Sequence, residues 1–213
     1  QAIEETNSVR AQLIVTTDKV YLNQGLGRPY IETDPLGGKD PYSASKAMAD
    51  ILAQEWISRN GAKLGAVARA GNVIGVGDNS QERLIPDILR AETEGTTLQI
   101  RFPFAVRPWQ HVLDCLNGYL RLVDHLVLEG SGGCWNFGPD DFRGSTVMDV
   151  INLATELGRS FDYETLPQRT EWNEEQTLLL DSFKSRARLD WEPKLTEKEA
   201  VTWALAQPIG SEK

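Results

Sequence analysis

The sequence predicts an α/β fold with a parallel sheet, joined to a smaller α+β lobe, and three observations carry that expectation. An apolar strand over residues 12–16, an amphipathic helix over 42–60 and a second apolar strand over 64–70 follow one another. Strand, helix, strand in that order implies a crossover between parallel neighbours. Both strands then run into polar or glycine-rich segments, Thr16-Thr-Asp-Lys19 and Gly71 to Gly77, at the sheet edge where ligands gather in open α/β folds. Beyond residue 80, short strand-like and helical stretches alternate without a repeat, as a mixed lobe would.

Each element has its own reason. Residues 2–9 read as the tail of a helix feeding the first strand. Residues 23–39 form a long loop containing Gly25, Gly27, Pro29, Pro35, Gly37 and Gly38, and loops of that length are usually functional or mobile. In the 42–60 helix, Ala47, Ile51, Leu52, Trp56 and Ile57 recur at helical spacing, and Gly61 follows as a C-terminal cap. Further helices are expected over 81–94, 112–129 and 145–158, the last capped by Ser145 or Thr146. Short strands are expected over 97–101, 109–112, 133–137, 161–166 and 177–181. Two helices close the chain, the second over 196–207. Residues 1–80 would thus be a partial sheet domain completed by 131–158, with 81–130 and 159–213 mainly the second lobe.

Composition narrows the function classes. The chain has 213 residues, 40% hydrophobic and 25% charged, which is ordinary globular material. Its formal net charge of −9 argues against nucleic acid, which selects basic surfaces. An acidic surface does not attract a nucleotide sugar either, so any such site must concentrate its arginines locally. No apolar run reaches a membrane span, and the opening Gln1-Ala-Ile-Glu-Glu lacks a secretory pattern. Two cysteines, Cys115 and Cys134, and two histidines, His111 and His125, are too few for a disulfide framework or a zinc site. Buried thiols in a reducing, cytoplasmic compartment are the expectation, with no metal.

The chemistry concentrates around Tyr42 and Lys46. Four-residue spacing places both side chains on one helix face, where the lysine ammonium favours the phenolate form of the tyrosine. A phenolate beside a sugar hydroxyl is a good proton acceptor, which is what hydride transfer to a nicotinamide requires. Gly75-Val-Gly77-Asp-Asn-Ser80 superficially imitates a dinucleotide-binding loop, but its third position is serine and no acidic residue ends a second strand at the expected distance.

Several motifs in register carry a family resemblance: Thr16-Thr-Asp-Lys-Val-Tyr, Asp34-Pro-Leu-Gly-Gly-Lys-Asp-Pro-Tyr-Ser-Ala-Ser-Lys46, Arg69-Ala-Gly-Asn-Val-Ile-Gly75, Arg83-Leu-Ile-Pro-Asp87, Arg107-Pro-Trp-Gln-His-Val-Leu113, Trp135-Asn-Phe-Gly-Pro139 and Leu189-Asp-Trp191. The chain resembles the extended short-chain dehydrogenase/reductases, in particular the nucleotide-sugar dehydratases, and among these the CDP-glucose 4,6-dehydratases. The resemblance implies the C-terminal part of a Rossmann-like parallel sheet, NAD as cofactor, a nucleotide-diphosphate sugar as substrate and a homodimer. It implies that Tyr42 deprotonates the sugar 4-hydroxyl, that Lys46 holds the nicotinamide ribose, and that Thr17 hydrogen-bonds the same hydroxyl. Asp18 would protonate the departing 6-hydroxyl. Lys19 stands where dTDP-glucose enzymes carry a glutamate base, as in the CDP-glucose branch, so proton removal at C5 needs a neutral lysine or another group. Arg69 joins Tyr42 and Lys46 among the cofactor contacts. Asn72 would meet the diphosphate, with Arg83, Arg107 and, more weakly, Arg101 as its cations. Trp109 and His111 would pack behind the site.

The same resemblance implies that roughly 110 to 130 residues of the family layout, including the cofactor's phosphate loop, lie outside this sequence. Two functions stay open on sequence alone. One is the catalytic and substrate half of an NAD-dependent lyase, inactive by itself. The other is a non-catalytic module that binds a nucleotide sugar or a protein partner. A nucleotide-sugar epimerase is the neighbouring alternative within the family.

Overall fold

Alternation along the central strand divides the sheet into two faces, each covered by one helix. The computed structural model describes residues 2–3, 5–60, 65–130, 132–139, 144–167 and 177–206. In chain order the first elements are β1 (Gln12–Val15), α1 (Pro41–Asn60), β2 (Gly65–Ala70), β3 (Val73–Ile74), α2 (Leu84–Glu94), β4 (Thr97–Ile100), β5 (Val106–Arg107) and β6 (Gln110–His111). They are followed by α3 (Val112–Glu129), β7 (Gly133–Phe137), β8 (Ser145–Thr146), α4 (Val147–Glu156), β9 (Asp162–Thr165), α5 (Phe183–Leu189) and α6 (Glu197–Leu205).

β1, β2 and β7 form one parallel sheet in that order, with Leu13 opposite Ala66 and Arg69 opposite Asn136. Every residue of β2 is buried, as expected for a parallel strand covered on both faces. Ala66, Ala68 and Ala70 pack with Leu13, Trp135, Phe137 and the α3 residues Cys115, Leu122 and Leu126. Val67 points the other way, into a cluster with Ile14, Cys134 and the α1 residues Ala53, Trp56 and Ile57. Period-two alternation thus sets which helix each strand residue meets. The alanines leave room for Trp135, Phe137 and Trp191, which are buried on the α3 side. Gly118 of α3 permits the closest approach there: a Cβ would lie 2.6 Å from Phe137 Cδ1.

A second core holds the other lobe. Ile85, Ile88 and Ala91 of α2, Val150, Ile151 and Ala154 of α4, and Ala200, Val201, Ala204 and Leu205 of α6 pack around Trp109, Leu98 and Ile100. Capping boxes start α4 (Thr146 with Asp149) and α6 (Thr196 with Glu199), satisfying backbone N–H groups that a helix start leaves without partners. Small two-stranded pairings, β3 with β6, β4 with β9 and β5 with β8, complete the described structure. Among the described residues no helix is long and apolar enough to cross a membrane.

Four expectations change. Described residues within 2–9 form turns, not a helix tail. Thr6 Oγ1 bonds the Ala2 carbonyl at 2.6 Å and the backbone bonds span three residues, a local competition that Thr, Asn and Ser offer against helix. α2 begins at Leu84, because Glu82 has φ of 58° and a left-handed residue cannot continue a helix. The expected strand over 177–181 is reduced to isolated bridges, Thr177 with Val106 and Leu180 with Tyr30. The lobe boundary also moves: α3, expected in the second lobe, packs under the sheet, and α4, expected with the sheet, packs in the second core. The Gly61 cap lies outside the described residues.

Candidate active site

At the end of β1 the alternation sends consecutive residues to different duties. Thr16 turns inward and donates to Asp50 Oδ2 of α1 at 2.9 Å. Thr17 stays extended and caps a tight 3-10 turn over Asp18–Val20. Its hydroxyl donates to Asp18 Oδ1 at 2.9 Å and accepts from the Lys19 amide at 3.4 Å. Asp18 is only 3% exposed, and its Oδ2 has no hydrogen-bond partner among the described residues. Gly71, just past β2, closes on the same place: a Cβ there would lie 2.5 Å from Pro108 Cγ and 3.3 Å from Asp18 Oδ2. A side chain at position 71 would therefore crowd the free oxygen of the acid.

Burial pushes the Asp18 carboxyl above the ordinary carboxylate range, against the lowering pull of the Thr17 hydroxyl, Arg107 and Lys19. The folded-state value exceeds the unfolded one, so this group's contribution to stability is complete below the unfolded carboxyl range. It is lost as pH rises through the folded value. Asp18→Asn is neutral at every pH. Its melting temperature should match the wild type in acid and exceed it at neutral pH; equal curves at both would contradict a buried, proton-holding Asp18.

α1 presents the second half of the site. Asp40 caps its start, accepting from the Ser43 amide at 3.0 Å and the Ser43 hydroxyl at 2.5 Å, and Pro41 occupies the first helical position, where its missing N–H costs nothing. Tyr42 is 46% exposed, so its ring faces solvent rather than the core. Lys46 Nζ stands 5.9 Å from the Tyr42 ring centroid, confirming one face for the pair. The turn after β1 packs on α1. Lys19, Tyr21, Asn23, Asp40 and Ser43 line a common pocket between them.

Beneath this surface lies a buried polar network that the sequence did not announce. Arg69 and Asp50 are fully buried and form a two-point ion pair, Nε to Oδ2 at 2.8 Å and Nη2 to Oδ1 at 2.7 Å. Arg69 Nη1 also donates to Tyr21 Oη at 2.9 Å and to the Glu32 carbonyl at 3.1 Å. Tyr21 Oη donates in turn to Asn136 Oδ1 at 2.7 Å. Burial opposes the Arg69 charge, but the Asp50 hydrogen bonds, with Tyr21 and Cys134 nearby, hold its value above the ordinary arginine range. Arg69 was expected among cofactor contacts; the structure engages its guanidinium with Asp50, Tyr21 and Glu32 as a strut joining β2, α1 and the loop after β1.

The four substrate candidates separate. Arg107 is 4% exposed, and its charge acts on Asp18, so it belongs with the Asp18 turn. Asn72 follows β2, its carbonyl accepting from the Gln110 amide at 3.0 Å. Arg83 is exposed at the start of α2, and Arg101 is exposed too, 3.9 Å from Glu82; both lie on the second lobe. Trp109 and His111 are each 4% exposed. Trp109 Nε1 donates to the Ser145 carbonyl at 3.2 Å, and His111 Nδ1 accepts from the Leu113 amide as the N-cap of α3, which are packing and capping duties. The residues missed from sequence are Asp40, Asp50 and Tyr21. Asp40 carried a signal, an Asp-Pro pair opening a helix.

The NAD dependent epimerase/dehydratase family matches residues 2–138. The CDP-glucose 4,6-dehydratase of Salmonella typhimurium is 34% identical over 99% of this chain and 59% of its own length. The dTDP-glucose 4,6-dehydratase of Bacillus anthracis, solved in complex with NAD, is 28% identical with a TM-score of 0.76, covering 92% of this chain and 60% of that one. A UDP-glucose 4-epimerase of Thermotoga maritima, solved with UDP-glucose, shares the fold at 22% identity, with a TM-score of 0.79 over 96% of this chain and 64% of its own. The chain spans about three fifths of the length of the curated relatives it matches. With a parallel sheet, a tyrosine–lysine helix face and a buried acid at the sheet's edge, it belongs to the NAD dependent epimerase/dehydratase family.

Proposed function

We propose that this chain supplies the catalytic groups and sugar-binding surface of an NAD-dependent nucleotide-sugar 4,6-dehydratase acting on CDP-glucose. The observation that carries the reading is Asp18, a buried carboxylic acid with one oxygen unpartnered among the described residues. An epimerase moves hydride at C4 and has no leaving group to protonate. An elimination needs an acid that keeps its proton until the 6-hydroxyl departs, and desolvation is how a carboxyl is held in that form. The similarity to CDP-glucose 4,6-dehydratase and Lys19 after Asp18 favour CDP over other bases.

The residues fit one end of the cofactor. When bound, NAD supplies the hydride acceptor and returns the hydride after water is lost. Lys46 would hold the nicotinamide ribose, with Tyr42 alongside. Tyr42 takes the proton of the sugar 4-hydroxyl, and Thr17 orients that hydroxyl. The resulting ketone acidifies the C5 hydrogen, which Lys19 in its neutral form or another group would take, and Asp18 protonates the leaving oxygen at C6. Arg107 and Asn72 are the groups proposed to meet the diphosphate, with Arg83 and Arg101 closing from the other lobe. The fit to the cofactor's phosphates is poor: the Gly75–Ser80 turn lacks the third glycine of a dinucleotide cradle. Weak NAD binding and little turnover by the chain alone are therefore part of the proposal. So is a homodimer, supported by Met48, Ile51 and Leu52 on α1, which are 65%, 52% and 68% exposed.

One panel tests these points. CDP-, dTDP- and UDP-glucose are titrated into the chain by calorimetry, each with and without NAD, with light scattering on the same sample. The expected result is a dimer that binds CDP-glucose tightest and NAD no better than high micromolar. A monomer removes the dimer, low-micromolar NAD affinity removes the weak-cradle statement, and no response to any sugar removes the function.

A further inference from the structure

The charge of Lys19 acts on two carboxyl groups of different kinds. One is Asp18, buried in the turn. The other is Asp40, in the pocket at the start of α1, whose walls include Lys19, Lys39, Asp40 and Ser43. We propose that Asp40 is a positioning residue for Lys19, drawing its flexible side chain across the pocket and holding it beside Asp18 for the elimination. The inference rests on the dehydratase reading above and adds to it a residue with no assigned role.

Asp40 is well fixed for that task. The Ser43 amide and hydroxyl hold both of its oxygens, and its own carbonyl accepts from the Ala44 amide at 2.9 Å. The preceding loop is pressed onto the helix start, since a Cβ at Gly38 would lie 2.2 Å from the Ala44 nitrogen. A cap alone does not need a charge: asparagine and serine cap as well as aspartate. The carboxylate adds an anion to the pocket that Lys19 lines, and a lysine on a four-carbon stem is placed by such a charge rather than by its own stiffness. Burial alone would raise the Asp40 carboxyl, but the Ser43 hydrogen bonds, with Lys19 adding to them, keep it below the ordinary range. Among the described residues, the charged groups around Lys19 include Asp18 from its own turn, Asp40 from the start of α1 and the like-charged Lys39 in the same pocket wall.

The test separates cap from charge and needs no substrate. Wild type, Asp40→Asn and Asp40→Ser are acetylated with limiting acetic anhydride, and the modification of Lys19 is read by peptide mass spectrometry against Lys39. Both variants retain a cap. Each should melt close to wild type while Lys19 acetylation rises about threefold or more, the scale of a modest ion pair. Unchanged Lys19 modification in either folded variant overturns the proposal, and so does unfolding of both, which would mean that the carboxylate serves the helix itself. Because no nucleotide sugar is present, failure of CDP-glucose to bind refutes the dehydratase reading without moving this result.

Discussion

In a full-length context that supplies the cofactor's phosphate loop, Tyr42→Phe is expected to slow conversion of CDP-glucose, assayed with saturating NAD, by about 10²- to 10⁴-fold, the usual contribution of a positioned proton acceptor. Affinity for the nucleotide sugar should remain nearly intact. The ring lies half in solvent at the start of α1, so losing the hydroxyl leaves the core and the helix as they are. Product can be followed as the 4-keto-6-deoxy sugar, and binding by calorimetry. A fully active variant removes Tyr42 from the mechanism, and a variant that no longer binds sugar moves it from chemistry to recognition.

The largest stability effect is expected at Asp50. Asp50→Asn leaves the buried Arg69 guanidinium without its counter-charge, which should cost about 3–5 kcal/mol in urea unfolding. Thr16 would also lose a carboxylate acceptor. Replacing both members, as Asp50→Leu with Arg69→Met, should recover much of that loss, because a buried ion pair is stabilising chiefly relative to its broken halves. A single variant less than about 1 kcal/mol below wild type would contradict the network as the strut under the site.

Much of this was legible in the residues. β7 and α3 fall on the expected bounds because glycines bound β7, Gly130 follows α3 and their apolar spacing is unambiguous. The Tyr42–Lys46 face was readable because four-residue spacing fixes geometry within a helix. The buried network was not, because its partners are distant in sequence: Tyr21 and Asn136 are 115 residues apart. Asp50 looks like any acid on a helix until the sheet brings Arg69 opposite it. The lobe boundary failed for a related reason. An amphipathic helix such as α3 states that one face is buried, not which sheet it covers. Similarly, Arg69 and Arg107 look alike on the page and both are buried; only their partners show that one braces the fold while the charge of the other acts on the acid.

A crystal structure of the chain soaked with CDP-glucose is the most direct trial of the central claim, that Tyr42, Asp18 and Arg107 serve one substrate. The expected map shows the sugar 4-hydroxyl in hydrogen-bond reach of Tyr42 Oη, its 6-oxygen toward Asp18 Oδ2, and the diphosphate against Arg107. A nucleotide sugar seated away from Asp18 and Tyr42, with both side chains left in solvent or protein contacts, would contradict it.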